Sequence, residues 1–94
     1  IGTEFKYETN LIGVWDLVLS PGQCSEWHRH ESPYVFIVTR PGTLKTEYED
    51  GSTSTNQFEL GEVVQGQKGA LHRVTNVGDE IYSNSIVEIK EHVG

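Results

Sequence analysis

The sequence predicts one all-β domain over residues 1–94, a sandwich or barrel of roughly nine short strands. Three observations predict it. Val, Ile, Thr, Tyr and Phe recur in short runs punctuated by Gly and Pro. Several runs alternate apolar and polar residues, the period of a strand with one buried face. No long stretch carries a helical period.

Taken in order, residues 4–8 and 14–19 read as strands, the second with Trp15, Leu17 and Leu19 on one face and Asp16 on the other. Pro21-Gly22 is a turn. Residues 27–30 are extended, Ser32-Pro33 breaks the chain, and 34–39 form a strongly apolar strand. Pro41-Gly42 turns it into 43–48, where Leu44, Thr46 and Tyr48 share a side. Asp50-Gly51 is a hairpin signal, because both residues tolerate the left-handed backbone that tight hairpins need. Strands at 56–60, 62–65, 71–74 and 81–90 follow, with turns at Gly61, 66–69 and 76–79 and a frayed tail holding His92.

Composition bounds the function. The net charge is −7, and the seven Lys and Arg residues stand singly. Without a basic cluster to neutralise phosphates, nucleic acid is a poor partner, and so is an anionic membrane surface. No apolar run approaches a membrane span. The one cysteine, Cys24, cannot form an internal disulfide. With no charged-then-apolar segment at the start, the expected location is the cytoplasm. A barrel this small has a modest core, so a bound metal or a dimer partner would add to its stability.

The chemistry gathers at the histidines. His28 and His30 are two apart, so on a strand both imidazoles face one side and can chelate one ion. Alone, the pair more often means two partly exposed histidines on an edge strand, and the context decides. The segment from Gly22 to His30 has the form G-x5-H-x-H, and Gly42 follows after an apolar strand. The segment GEVVQGQKGALHRVTN opens at Gly61, has Gly69 in its loop, then His72, and closes at Asn76 as H-x3-N. These segments resemble the two motifs of the cupin family, in order and at the family's separation, and the flanking strands extend the likeness along nearly the whole chain.

The resemblance implies a cupin double-stranded β-helix, a jelly-roll barrel, with one divalent transition metal (iron, nickel, zinc or manganese) held by His28, His30 and His72. His92 matches nothing in the family. Cupins usually supply a glutamate four or five residues after the second histidine, where this chain has Tyr34 and Val35. The usual proline of the second motif is replaced by Gln67. Three neutral imidazoles leave a divalent ion its full charge and open positions, so it should hold a small anionic organic ligand firmly. Tyr34, Gln65 and Gln67 are the candidate substrate-binding residues.

Some cupin oxygenases are similar in using three histidines on iron. The implied activity is thus a metal-dependent dioxygenase-like reaction, or an isomerisation or decarboxylation. The alternative is a non-catalytic metabolite-binding or sensor cupin. Small cupins of this pattern resemble proteins of β-alanine degradation. A homodimer covering the edge strands is also expected. No nucleophile elbow, phosphate loop or dinucleotide fingerprint is present.

Overall fold

The computed structural model describes residues 3–66 and 68–90. Nine strands and no helix make up these residues: β1 (Glu4–Glu8), β2 (Ile12–Leu19), β3 (His28–Arg29), β4 (Tyr34–Arg40), β5 (Gly42–Tyr48), β6 (Thr53–Phe58), β7 (Val63–Gly66), β8 (Leu71–Asn76) and β9 (Tyr82–Ile89). They form two antiparallel sheets, ordered β1-β2-β9-β4-β7 and β3-β8-β5-β6. This is the expected all-β jelly roll.

Alternation explains which side chains meet inside. Leu17 and Leu19 of β2 are buried, as are Tyr34 and Val38 of β4, Leu44 of β5, Val74 of β8, and Tyr82 and Ile86 of β9. Trp15, Phe36 and Phe58 pack against this cluster. Burying each such side chain is worth about 1.5–3 kcal/mol.

Three strands differ from expectation by two residues or more at an end: β8 runs on to Asn76, and β2 and β6 start early. β2 begins at Ile12, because Thr9 turns the chain early: its Oγ1 accepts from the amides of Leu11 and Ile12. β6 runs Thr53–Phe58 rather than 56–60, since the Asp50-Gly51 hairpin pairs Glu47 with Thr53 at once. Gly51 has φ 87 there, and Asp50 Oδ1 accepts from the amide and hydroxyl of Ser52. The segment Thr53–Phe58 is polar on both faces up to Phe58, so most of its pairing leaves little trace in hydropathy.

Asn76 fixes the end of β8. It is fully buried; its amide donates to Leu19 O (2.9 Å) and Glu80 O (2.7 Å), and its Oδ1 accepts from the Gly78 amide (2.9 Å). Every polar atom of the side chain is used, which is why a buried amide is tolerated here. The segment before β3 is tied to β8 as well, through Ser25 N to Val74 O (2.8 Å) and Val74 N to Ser25 Oγ (3.1 Å). These bonds hold the histidine-bearing strands in one register.

Candidate metal centre

β3 and β8 pair so that His28 lies directly opposite His72, and Arg29 opposite Leu71. Residues opposite each other in an antiparallel ladder share a face. His30 is two beyond His28 and shares that face too. The sequence pattern alone therefore sends three imidazoles to one point. Their Nε2 atoms converge: His28 to His72 is 3.0 Å and His30 to His72 is 3.2 Å. The alternate residues point away. Trp27 lies under the Arg73 guanidinium at 5.1 Å, and Arg29 reaches Glu49 at 3.5 Å and the Gly69 carbonyl at 2.6 Å.

These residues fit a divalent metal. With metal–nitrogen bonds of about 2.1 Å, neighbouring ligands of an octahedral ion sit about 3.0 Å apart and those of a tetrahedral ion about 3.4 Å. The observed spacings fall in that range. His28 Nδ1 lies 2.9 Å from the Glu26 carbonyl. That nitrogen therefore carries the proton, and the Nε2 lone pair faces the centre.

All three imidazoles are held in the neutral, metal-binding form. His30 is lowered from 6.5 to about 3, by burial first and then by His28 and His72. His72 falls to about 4, by burial and then His28. His28 is lowered by burial, with the Glu26 carbonyl opposing.

His30 is the most enclosed, and its Nδ1 finds no partner among the described residues. A ligating histidine usually has its second nitrogen hydrogen-bonded, which fixes the ring. Here the Tyr34 ring does this, stacked on His30 with centroids 3.7 Å apart and planes 18° apart. Tyr34 in turn sits on the bare backbone of Gly66, its ladder partner. A Cβ at Gly66 would lie 2.0 Å from Tyr34 Cζ, so only glycine fits beneath the ring. Tyr34 thus packs against a candidate ligand.

A cavity of about 510 Å³ opens from the histidines into the barrel. The ladders divide its wall into three levels. Tyr34, Tyr48 and Gly66 flank the histidines; Phe36, Val64, Ile86, Thr46 and Val74 come next; Asn84, Leu17, Leu44 and Asn56 form the far level. Glu62, whose carbonyl accepts from Val38 N, stands at that far level too.

Of the residues singled out by sequence, His28, His30, His72 and Tyr34 come together. Gln65 is exposed at the cavity rim, in register with Val35 and so on the strand face opposite Tyr34 and Gly66. Gln67 and His92 lie outside the described residues. Tyr48, Glu62 and Asn84 were not anticipated as cavity residues. Only Tyr48 left a signal, by sharing the alternation of Leu44 and Thr46.

No family model and no curated protein matches the sequence. Solved structures do. A cupin domain from Bordetella pertussis is 28% identical over 93% of this chain and 90% of its own, with a TM-score of 0.86. An RmlC-like cupin from Methanocaldococcus jannaschii is 19% identical, covering 92% and 76% of the two chains, with a TM-score of 0.76. A double-stranded β-helix protein from Klebsiella pneumoniae is 21% identical over 100% of this chain and 84% of its own, with a TM-score of 0.73. The fold is therefore the cupin double-stranded β-helix.

Proposed function

We propose that this chain binds one divalent transition metal on His28, His30 and His72 and uses the metal's open positions to hold a small anionic organic ligand. The observation that carries the reading is the convergence of three neutral imidazole nitrogens at one end of an internal cavity. Bound there, iron, nickel, zinc or manganese supplies Lewis acidity, and iron supplies dioxygen chemistry as well. The protein's own part is to fix the three nitrogens, keep them unprotonated and enclose the ligand's body between the sheets.

Among the described residues, the other ionisable side chains lining the histidine level of the cavity are Tyr34 and Tyr48, with Glu88 in register with Tyr34 outside that lining. Burial pushes the Tyr34 phenol up, with Tyr48 adding to it. Neither tyrosine is suited to take a proton near neutral pH. This favours a dioxygenase-like oxidation over proton abstraction, and it equally favours a second reading, a non-catalytic sensor of the same ligand. The test loads the protein with iron(II) and follows oxygen uptake over a panel of small acids and thiols. Uptake that depends on an added acid supports the enzyme. Ligand-dependent rise in melting temperature without uptake supports the sensor. Neither response to any acid or thiol contradicts both.

The reading includes a homodimer. Tyr7, Val14, Val87 and Val35 form an apolar row across the outer face of β1, β2, β9 and β4, and Ile37 and Val63 extend it. Light scattering at the mass of one chain would contradict this.

A further inference from the structure

The cavity wall is chemically lopsided. At one end stand the three histidines. Between them and the far level the wall is mostly apolar, with Phe36, Val64, Val74 and Ile86. Among the described residues no Lys or Arg lines the cavity anywhere, and its one carboxylate is Glu62. Glu62 Oε1 accepts from the Glu59 amide at 3.0 Å, so the carboxylate is held at the far end. Across β4 from it Asn84 is almost fully buried, donates its amide to the Tyr82 hydroxyl at 2.7 Å, and keeps its Oδ1 closed off from the cavity space. Burial chiefly pushes the Tyr82 phenol up to about 12, and the Glu62 charge adds to it.

A ligand lying along this cavity meets a cation only at the metal. Any second anionic group would meet no positive partner and would face the exposed Glu62 carboxylate, a repulsion that weakens binding. A hydrogen-bond donor at the far end meets the opposite situation, with the Glu62 carboxylate ahead of it. The ladder sets the length. Tyr34 at the histidine level and Val38 beside Asn84 are four residues apart on β4, about 13 Å at ~3.3 Å per residue. A six-carbon chain spans that distance once a metal bond and a terminal hydrogen bond are added.

We propose that the cavity selects a ligand with a single carboxylate, bound at the histidine end, an apolar body of about six carbons, and a neutral or cationic hydrogen-bond donor at the Glu62 end. Dicarboxylates and phosphate esters of that length are rejected. This rests on the reading above, in which a metal on three histidines takes an anion, and it adds the ligand class.

The test uses the full chain loaded with cobalt(II), whose visible spectrum reports ligands entering the metal's open positions. Four probes are titrated: acetate, hexanoate, 6-aminohexanoate and adipate. The last three share one length and differ only at the far end. The expected order is 6-aminohexanoate, then hexanoate about two- to fivefold weaker, as one exposed ion pair supplies. Adipate should be weaker than hexanoate by roughly tenfold or more. Glu62→Gln keeps an acceptor for the Glu59 amide and should abolish the advantage of the amino compound. Adipate binding as tightly as hexanoate overturns the proposal, as does an amino advantage that survives Glu62→Gln. Acetate perturbing the cobalt while none of the longer acids does so also overturns it, and leaves the metal reading standing. No response to any of the four removes the metal–anion reading itself, and the proposal with it.

Discussion

Replacing Gly66 by alanine tests whether the Tyr34 ring holds His30 in place. The added methyl would lie 2.0 Å from Tyr34 Cζ and 2.4 Å from each Cε, whereas carbon atoms settle about 3.5–4.0 Å apart. The ring must therefore move by more than an ångström. Tyr34 is only 8% exposed and already stacks on His30 at 3.7 Å, so it has no free space and its motion is passed to the imidazole. Overpacking of this kind costs about 1–3 kcal/mol. At about 4–8 °C per kcal/mol for a domain of this size, the melting temperature should fall by roughly 10 °C. Loss of the ring's hold on His30 should weaken metal binding by about tenfold, the lower end of what the groups that hold a ligating histidine in place contribute. The assays are thermal unfolding of the metal-free protein and zinc affinity by competition with a chromophoric chelator. Tyr34→Phe keeps the stack and should bind zinc normally, while Tyr34→Leu should share the affinity defect. A Gly66→Ala protein that melts lower but binds zinc within twofold of the original would refute the orienting role of Tyr34. An unchanged melting temperature would refute the packing of the ring on Gly66.

Other outcomes follow from the same geometry. Asn76→Leu removes a buried amide that serves two carbonyls and one amide; stranding these groups at about 1–3 kcal/mol each should destabilise the protein by at least ~3 kcal/mol in urea unfolding. The folded pKa values of His30 and His72, about 3 and about 4, lie below the unfolded value of 6.5. The unfolded chain therefore binds more protons as the medium is acidified, so stability present above pH 6.5 is lost progressively towards pH 4. Urea midpoints of the metal-free protein at pH 7.5, 6 and 5 should fall in that order, and equal midpoints would contradict the buried neutral imidazoles. Zinc affinity should fall over the same range as protons compete for the three nitrogens.

Much of the barrel was legible because its strands alternate. Leu17 and Leu19, or Leu44 and Thr46, show the inward face directly, and Pro-Gly and Asp-Gly pairs mark the turns. The histidine pair was legible as well, because a spacing of two on a strand leaves one geometry. The joining of His72 to that pair depends on a register between β3 and β8, with His28 and His72 44 positions apart in the chain, which no local pattern encodes; only the resemblance between motifs pointed to it. β6 was misplaced because Thr53–Phe58 has no apolar face to register. The stack of Tyr34 on His30 was hidden for a different reason. It depends on the absence of a side chain at Gly66, a residue that reads as a turn signal in sequence and is the last residue of β7 in the fold. Glu62 and Asn84 stand at the same level of the cavity on either side of β4, and neither has a neighbour in sequence that announces it.

Metal content by elemental analysis, on protein purified without a histidine tag, tests the central claim most directly. The account predicts about one transition-metal ion per chain, retained through dialysis at neutral pH, and none in a His30→Ala/His72→Ala variant that remains folded by circular dichroism. A chain that carries no metal and takes up none of iron, nickel, zinc or manganese on titration would contradict it, as would a variant that keeps its metal.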